Sequence, residues 1–392
     1  MDKILFTEEF CQPENLHPFT LTRQLQDIRI GILTIREKWE QMLGLVSFDK
    51  KEDDYKDLDR SLSVADAVES GSCYMIHGNL LPTPKLVKAV RKLKHGEFIT
   101  AKKGTGLVYR FSKNEMLGAH KIKVGKGIAY TDEIKTIRYP WDIFQLNDWA
   151  LRQDFAWLTK GRESQRISKT NKVIKPSQVF LEKGARMEHC IINASTGPVY
   201  IGKKATIMEG CIIRGPFAMG TDALLKLGAK VYGATTLGPH CVAGGEIKNS
   251  VLFGHSNKAH DGYLGDSVVG EWCNMGAGTT NSNLKNNAGN VAVWTPKGEM
   301  NAGMKCGVMM GDYSRTAINT SINTGTVIGV SCNVFGTGLT PRYIPNFSWG
   351  SEGVKRYEFD KALSHIGGWM QLKGKTITNG EQIILRHIFE KF

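Results

Sequence analysis

The sequence predicts an α/β domain followed by a parallel β-helix with a helical tail. Three observations predict it. Glycine is uneven, with 12 of the 43 glycines in residues 1–196 and 31 in residues 197–392, so two different kinds of backbone share the chain. The first half carries helix-spaced apolar residues between short apolar runs. The second half carries an apolar residue at every sixth position over several long blocks.

In chain order, residues 33–43 (LTIREKWEQML) and 84–94 (PKLVKAVRKLK) have helical spacing. Pro84 suits a first helical turn, with Thr83 before it as a cap. The runs CYMIHG and GLVYRF suit strands, and the alternation points to a layered α/β domain. Residues 159–178 are polar and basic and read as a connection. The expected domains are therefore 1–165, 166–350 and a tail at 351–392.

From Ile201 the apolar positions run Ile201, Ile207, Ile213, Met219, with a second track at Ala205, Cys211, Phe217. The period returns at Ala229, Thr235, Cys241, Ile247, Phe253, then at Val269 and Met275, then at Met310, Thr316, Ile322, Ile328, Val334. A period of six fits neither a helix of about 3.6 residues per turn nor an alternating hairpin sheet. It fits a parallel β-helix in which each hexad gives one short strand and one corner. Glycine follows the apolar position in IGKK, VGEW, MGAG, MGDY and IGVS, where corners are expected to need positive φ. Residues 253–268 and 281–307 break the count and are expected to project as loops, the usual carriers of function on a rigid solenoid. From about Asp360 helical spacing returns, as a cap for the last coil.

Composition bounds the function. With 41% hydrophobic and 23% charged residues the chain is globular, not disordered. No apolar run reaches the roughly 18 residues of a membrane span, and the N-terminus lacks a signal-peptide pattern, so a cytoplasmic protein without a membrane partner is expected. The eight cysteines form no CxxC pair and read as free buried thiols, with no metal site. The formal charge of +13 comes from basic residues spread along the chain, which favours anionic small substrates over nucleic acid.

The segment at 255–266 holds His255, Lys258, His260, Asp261, Tyr263 and Asp266. A neutral imidazole can take a proton from an amine attacking a thioester, and Tyr, Asn or backbone N–H groups can stabilise an oxyanion. The stretch EIKNSVLFGHSNKAHDGYLGDSVVGEWCNMGAGTTNSNL resembles the acetyltransferase domain of the bifunctional N-acetylglucosamine-1-phosphate uridyltransferase family, whose members carry a Lys, then K-A-x-H-x-x-Y-L-G-D, then N-x-G-A-G-T at about these spacings. The resemblance implies a left-handed β-helix that trimerises and acetylates glucosamine 1-phosphate with acetyl-CoA. It implies His260 as catalytic base, and Lys248, Tyr263 and Asn274, with Lys230, at the amino-sugar phosphate. Ala277 and Asn283 fall at acetyl-CoA positions, and Asp312 and Val330 match those positions more weakly. Three departures stand out. His260 directly follows Lys258–Ala259, where some relatives have one more residue. Lys230 replaces an Arg, so a bidentate clamp becomes a point charge, and Leu284 replaces an aromatic.

The first domain resembles the N-terminal, nucleotidyltransferase-like domain of a divergent branch of these proteins, through LHPFTLTRQLQDIRIGILTIREKWE and LLPTPKLV. The glycine-rich phosphate loop of that family is missing, and in YMIHGN Asn79 stands where the resemblance implies a metal-binding Asp. Arg23 and Arg29 are alternative phosphate contacts. The resulting expectation is an acetyl-CoA-dependent N-acetyltransferase acting on an amino-sugar 1-phosphate in a nucleotide-sugar pathway, assembled as a homotrimer. Nucleotidyl transfer in the first domain, with UTP and Mg²⁺, is left open. The alternative is a sugar-1-phosphate nucleotidyltransferase whose β-helix only oligomerises or regulates; a third reading is a non-catalytic scaffold. Removing the chain before Lys175 is expected to leave the acetyltransferase chemistry intact.

Overall fold

The computed structural model describes residues 2–51, 55, 56, 60–69, 71–102, 104–117 and 122–391. It divides into two compact units, Met1–Pro13 with Arg23–Ile28 and Leu33–Arg138, and Glu14–Thr22 with Arg29–Ile32 and Tyr139–Phe392.

In the first unit, strand Lys3–Thr7 lies inside a seven-stranded sheet among the described residues, next to its central strand Cys73–His77. It pairs in parallel with Ser47–Lys50 on one side and Cys73–His77 on the other, while Gly106–Phe111 runs antiparallel to Cys73–His77. Both predicted helices are present. Ile35–Leu43 starts at a reciprocal cap between Thr34 and Glu37 and stops at Gly44, whose φ of 74° suits glycine. Pro84–Val90 begins after Thr83, whose hydroxyl accepts the Leu86 N–H. The predicted strands CYMIHG and GLVYRF also form.

The second unit is a parallel β-helix. Its strands stack into three sheets of six, nine and eight strands, begun by Lys172–Ile174, Val179–Leu181 and Arg186–Met187; we call them sheets one, two and three. Each hexad supplies one strand, so three hexads make a coil. Phe217 accordingly pairs with Thr235 and Leu224 with Val242, eighteen residues on. All the apolar positions of the six-residue series are buried, and most join one continuous core. Stacking equivalent side chains from coil to coil gives each one the apolar neighbours that a single repeat lacks.

The glycines after the apolar positions have a different task from the one expected. Gly202 and Gly276 have ordinary φ, but a Cβ on them would lie 2.7 and 2.5 Å from backbone carbons of the next coil. Left-handed corners between sheets two and three are taken by Lys204, Asp222, His240, His255, Trp272, Tyr313 and Ser331, one above the other, whereas those after the sheet-three strands do use glycine, as expected, at Gly210, Gly228, Gly245 and Gly278. Residues 253–268 also differ from expectation. They do not project as a loop: Asn257–Lys258 and Tyr263–Gly265 are strands of sheets three and one, and the coil is merely shorter, with Val251 pairing Val268. The second interruption does leave the helix. Val268 pairs next with Met309, and the intervening chain forms a hairpin of Ala292–Thr295 with Gly298–Asn301.

Two helices, Phe359–Gln371 and Asn379–Lys391, close the chain, and Phe347 of the last coil packs on Phe359 and Phe389. Further helices, Pro140–Gln145 and Asn147–Leu158, also belong to this unit. Buried Asn147 donates to the Ala234 carbonyl and accepts the Gly31 N–H. The Thr22 hydroxyl reaches Asp312 at 2.6 Å. Truncation before Lys175 would therefore strip parts of the β-helical unit itself, and the expectation that it leaves this unit intact is withdrawn.

Candidate active site

Alternation along sheet one decides which side chains face outward. In strands Lys230–Tyr232, Glu246–Lys248 and Tyr263–Gly265 the middle residues Val231, Ile247 and Leu264 are buried, so the flanking residues point out. Register then stacks Lys230, Glu246 and Tyr263 in one column, and Tyr232, Lys248 and Gly265 in the next. Neighbouring strands lie about 4.8 Å apart, so five functional side chains share one small patch. Within it Tyr232 donates to Glu246 at 2.5 Å, and the Lys248 ammonium lies 5.9 Å from the Tyr232 ring centre. Lys230 is exposed.

Asn283 joins this patch from the start of the long excursion. Its amide donates to the Tyr263 hydroxyl at 3.1 Å and to Asp266 at 2.5 Å. Asp266 is buried and also accepts the Asn249 amide at 2.7 Å. Burial, with the Asp266 charge beside it, pushes the Tyr263 hydroxyl up to about 12, so it remains a proton donor at neutral pH.

His260 lies at the corner between sheets three and one, in the four residues that join Asn257–Lys258 to Tyr263–Gly265, and it is exposed. Ala277 occupies the equivalent corner of the following coil, between Asn274–Met275 and Thr280–Asn281. Asn274 is on the outer side of sheet three, where its side-chain oxygen accepts the Asn257 amide at 3.3 Å. Asp312 and Val330 are elsewhere. Both are buried at the corner between sheets two and three, Asp312 holding the Thr22 hydroxyl and the Glu271 N–H, Val330 donating its N–H to Asn346. Thus Lys230, Lys248, Tyr263 and Asn283 share one face, His260 and Ala277 border it, and Asn274 lies round the corner. Asp312 and Val330 stand apart.

His255 has different surroundings from His260. It sits at the corner between sheets two and three, stacked on His240 (4.7 Å) and on Trp272 (4.1 Å). Burial, helped by His240, lowers its pKa to about 4, so it is neutral and packed. Sequence spacing missed Glu246, Tyr232 and Asn249. Their alternation with buried neighbours was a usable sign, but their partners emerge only from register.

At the end of strand Lys3–Thr7 in the first unit, carboxylates stand in place of a glycine loop. Glu8 accepts the Leu25 N–H at 2.5 Å, and Glu9 pairs with Lys50 at 2.6 Å. The Asn79 amide donates to the Ile137 carbonyl at 3.2 Å, and its backbone carbonyl accepts the Ile137 N–H. Asn79 ties two segments together, and no group of three metal-ligating side chains occurs among the described residues. A neutral amide so engaged is a poor ligand for Mg²⁺, which prefers carboxylates.

A layered α/β unit and a hexad-repeat β-helix in one chain are the class these features define. Residues 4–163 match the family described as "Sugar nucleotidyl transferase". The chain is 30% identical over 226 residues to the "Bifunctional sugar-1-phosphate nucleotidylyltransferase/acetyltransferase" of Sulfurisphaera tokodaii, covering 57% of this chain and 49% of that one. It is 33% identical over 99 residues to the "Bifunctional protein GlmU" of Methanocaldococcus jannaschii, covering 25% and 24%. A protein of the same description from Thermus thermophilus is 30% identical over 151 residues, covering 32% and 33%. The matches span half or less of the length of each of these curated relatives. The chain is thus similar to a sugar nucleotidyl transferase family over its first part, and over parts of its length to these bifunctional relatives.

Proposed function

We propose that the β-helical unit transfers an acetyl group from acetyl-CoA to the amine of an amino-sugar 1-phosphate, glucosamine 1-phosphate being the substrate favoured. One observation carries the reading: Lys230, Lys248 and Tyr263, with Asn283, converge on one outer face beside the His260 corner. The two ammonium groups supply charge for a phosphate. His260 takes a proton from the amine as its nitrogen attacks the thioester carbonyl. The tetrahedral oxyanion then collapses, the C–S bond breaks and the CoA sulfur leaves as thiolate, taking up a proton. Asn274 and Ala277 are assigned to the amino sugar and the coenzyme, Asp312 and Val330 to the coenzyme with less support, since both are buried away from the His260 corner. The exposed Ile191 and Ile212 on sheet one support a homotrimer as the working assembly.

The experiment is a thiol-release assay with acetyl-CoA and a panel of amino-sugar 1-phosphates. Coenzyme release with glucosamine 1-phosphate supports the reading, and no release with any amine refutes it. The match over 4–163 favours a second reading, nucleotidyl transfer by the first unit. The bridging role of Asn79, a neutral amide already bonded to Ile137, weighs against an efficient Mg²⁺-dependent reaction there.

A further inference from the structure

The inner side of sheet three is a column of core residues. Register aligns Met187, Ile207, Leu225, Ala243 and Lys258, and the column continues through Met275, Thr316 and Val334. Every member but one is apolar or a small hydroxyl. Lys258 is 1% exposed, among the largest fully buried side chains of the molecule. A buried ammonium is costly unless its donors are matched. Here they are used at one place. The Lys258 ammonium donates to the His260 carbonyl at 2.5 Å and to the Gly244 carbonyl of the preceding coil at 3.3 Å. Ala243, the smallest member of the column, precedes Gly244 directly.

We propose that Lys258 is a positioning residue, holding the His260 backbone at the corner between sheets three and one so that the imidazole faces the Lys248–Tyr263 patch. The proposal rests on His260 being the base. The corner's other anchors are neutral backbone bonds, the Gly278 N–H to the Asp261 carbonyl at 3.1 Å and the Glu246 N–H to the Gly262 carbonyl at 3.2 Å, and neither holds His260 itself. The lysine enters from the core side and joins two successive coils. It does not touch substrate, because its ammonium is enclosed. The charged groups near it are Asp261, whose charge favours the ammonium, and Lys226, whose Cβ lies on the Gly244 side. Burial lowers the Lys258 pKa to about 8, a sign that the site holds the charge at an energetic cost.

That cost sets the test. A lysine serving only stability should be replaceable by an apolar side chain of similar length, since buried charges are often neutral or unfavourable for folding. Lys258→Met in the full chain is expected to keep or raise the melting temperature while kcat falls about 10–10²-fold, the effect of a small misplacement of a catalytic group. KM for acetyl-CoA should stay within about twofold, an order-of-magnitude bound for a contact left untouched. Lys258→Gln, which keeps a shorter donor, should recover part of the loss and serves if the Met variant does not fold. His260→Ala is measured alongside. If it is inactive while folded Lys258→Met or Lys258→Gln has wild-type kcat, the positioning role is refuted and the base reading survives. If His260→Ala is fully active, both fall. If neither lysine variant folds, the residue is structural and the proposal is overturned.

Discussion

Two histidines five residues apart should give opposite phenotypes when each is replaced by alanine, because strand Asn257–Lys258 carries them to different corners of the β-helix. His260 is exposed and borders the Lys248–Tyr263 patch. His260→Ala should leave the melting temperature within about 2 °C, as exposed substitutions usually stay within about 0.5 kcal/mol. It should lower kcat by about 10²–10⁴-fold, the usual contribution of a general base. His255 is packed between His240 and Trp272. Two ring contacts at about 0.5–1.5 kcal/mol each predict a loss of about 1–3 kcal/mol for His255→Ala. At about 2–4 °C per kcal/mol for a domain of this size, its melting temperature should drop by about 2–12 °C. Its kcat below that temperature should stay near wild type. The assays are thiol release and calorimetry on the same preparations.

The pH dependence gives a second handle on the same pair. The folded protein holds His255 near a pKa of about 4, whereas an unfolded histidine titrates near about 6.5. The unfolded state therefore binds more protons between those values, and stability falls as pH drops from about 6.5 towards 4. His255→Ala should flatten this slope without abolishing it, because buried His77 of the first unit is lowered to about 4 as well. Loss of acetyl transfer in folded His255→Ala, with His260→Ala retaining it, would refute the assignment of His260.

Other outcomes follow from the same geometry. Lys248→Ala should raise KM for the sugar phosphate about 10–100-fold, through loss of a charge-assisted contact, with kcat changed much less; an unchanged KM in initial-rate assays would remove Lys248 from the phosphate. With UTP, Mg²⁺ and a sugar 1-phosphate, pyrophosphate release should fall far below the roughly 10 per second of an ordinary enzyme. A rate at that level would mean that groups other than Asn79 serve the metal. Light scattering at micromolar concentration should give three times the 43.5 kDa chain mass, and a stable monomer would contradict the trimer.

What the sequence made legible, and what it hid, divides along one physical line. Inward positions repeat because each coil must place an apolar side chain over the last, so Ile201, Ile207, Ile213 and Met219 betrayed the β-helix without any knowledge of pairing. The helix at Ile35–Leu43 was equally legible, since Thr34 and Glu37 are a local cap. The outer face obeys no such repeat. Its chemistry depends on which residue of one coil lies beside which of the next, and at the site the coils are not regular. Lys230 pairs with Glu246, sixteen residues on, and Thr236 with Val251, fifteen on, against eighteen for Phe217 with Thr235 just before. A lost residue or two in a fixed count looks like a projecting loop, and residues 253–268 were accordingly misread. The shortened coils instead narrow the corners while keeping all three sheets paired, which brings Glu246 between Lys230 and Tyr263. The same slip concealed the inward placement of Lys258, which in a presumed loop reads as one more polar residue and in the core column of a β-helix does not. Motif spacing alone could find His260. Only the register links it, through its own carbonyl, to a charge in the core. The first coils are longer than eighteen residues and those at the candidate site shorter, so the site sits where the solenoid contracts, as expected if a uniform prism offers no unique corner on which to build one.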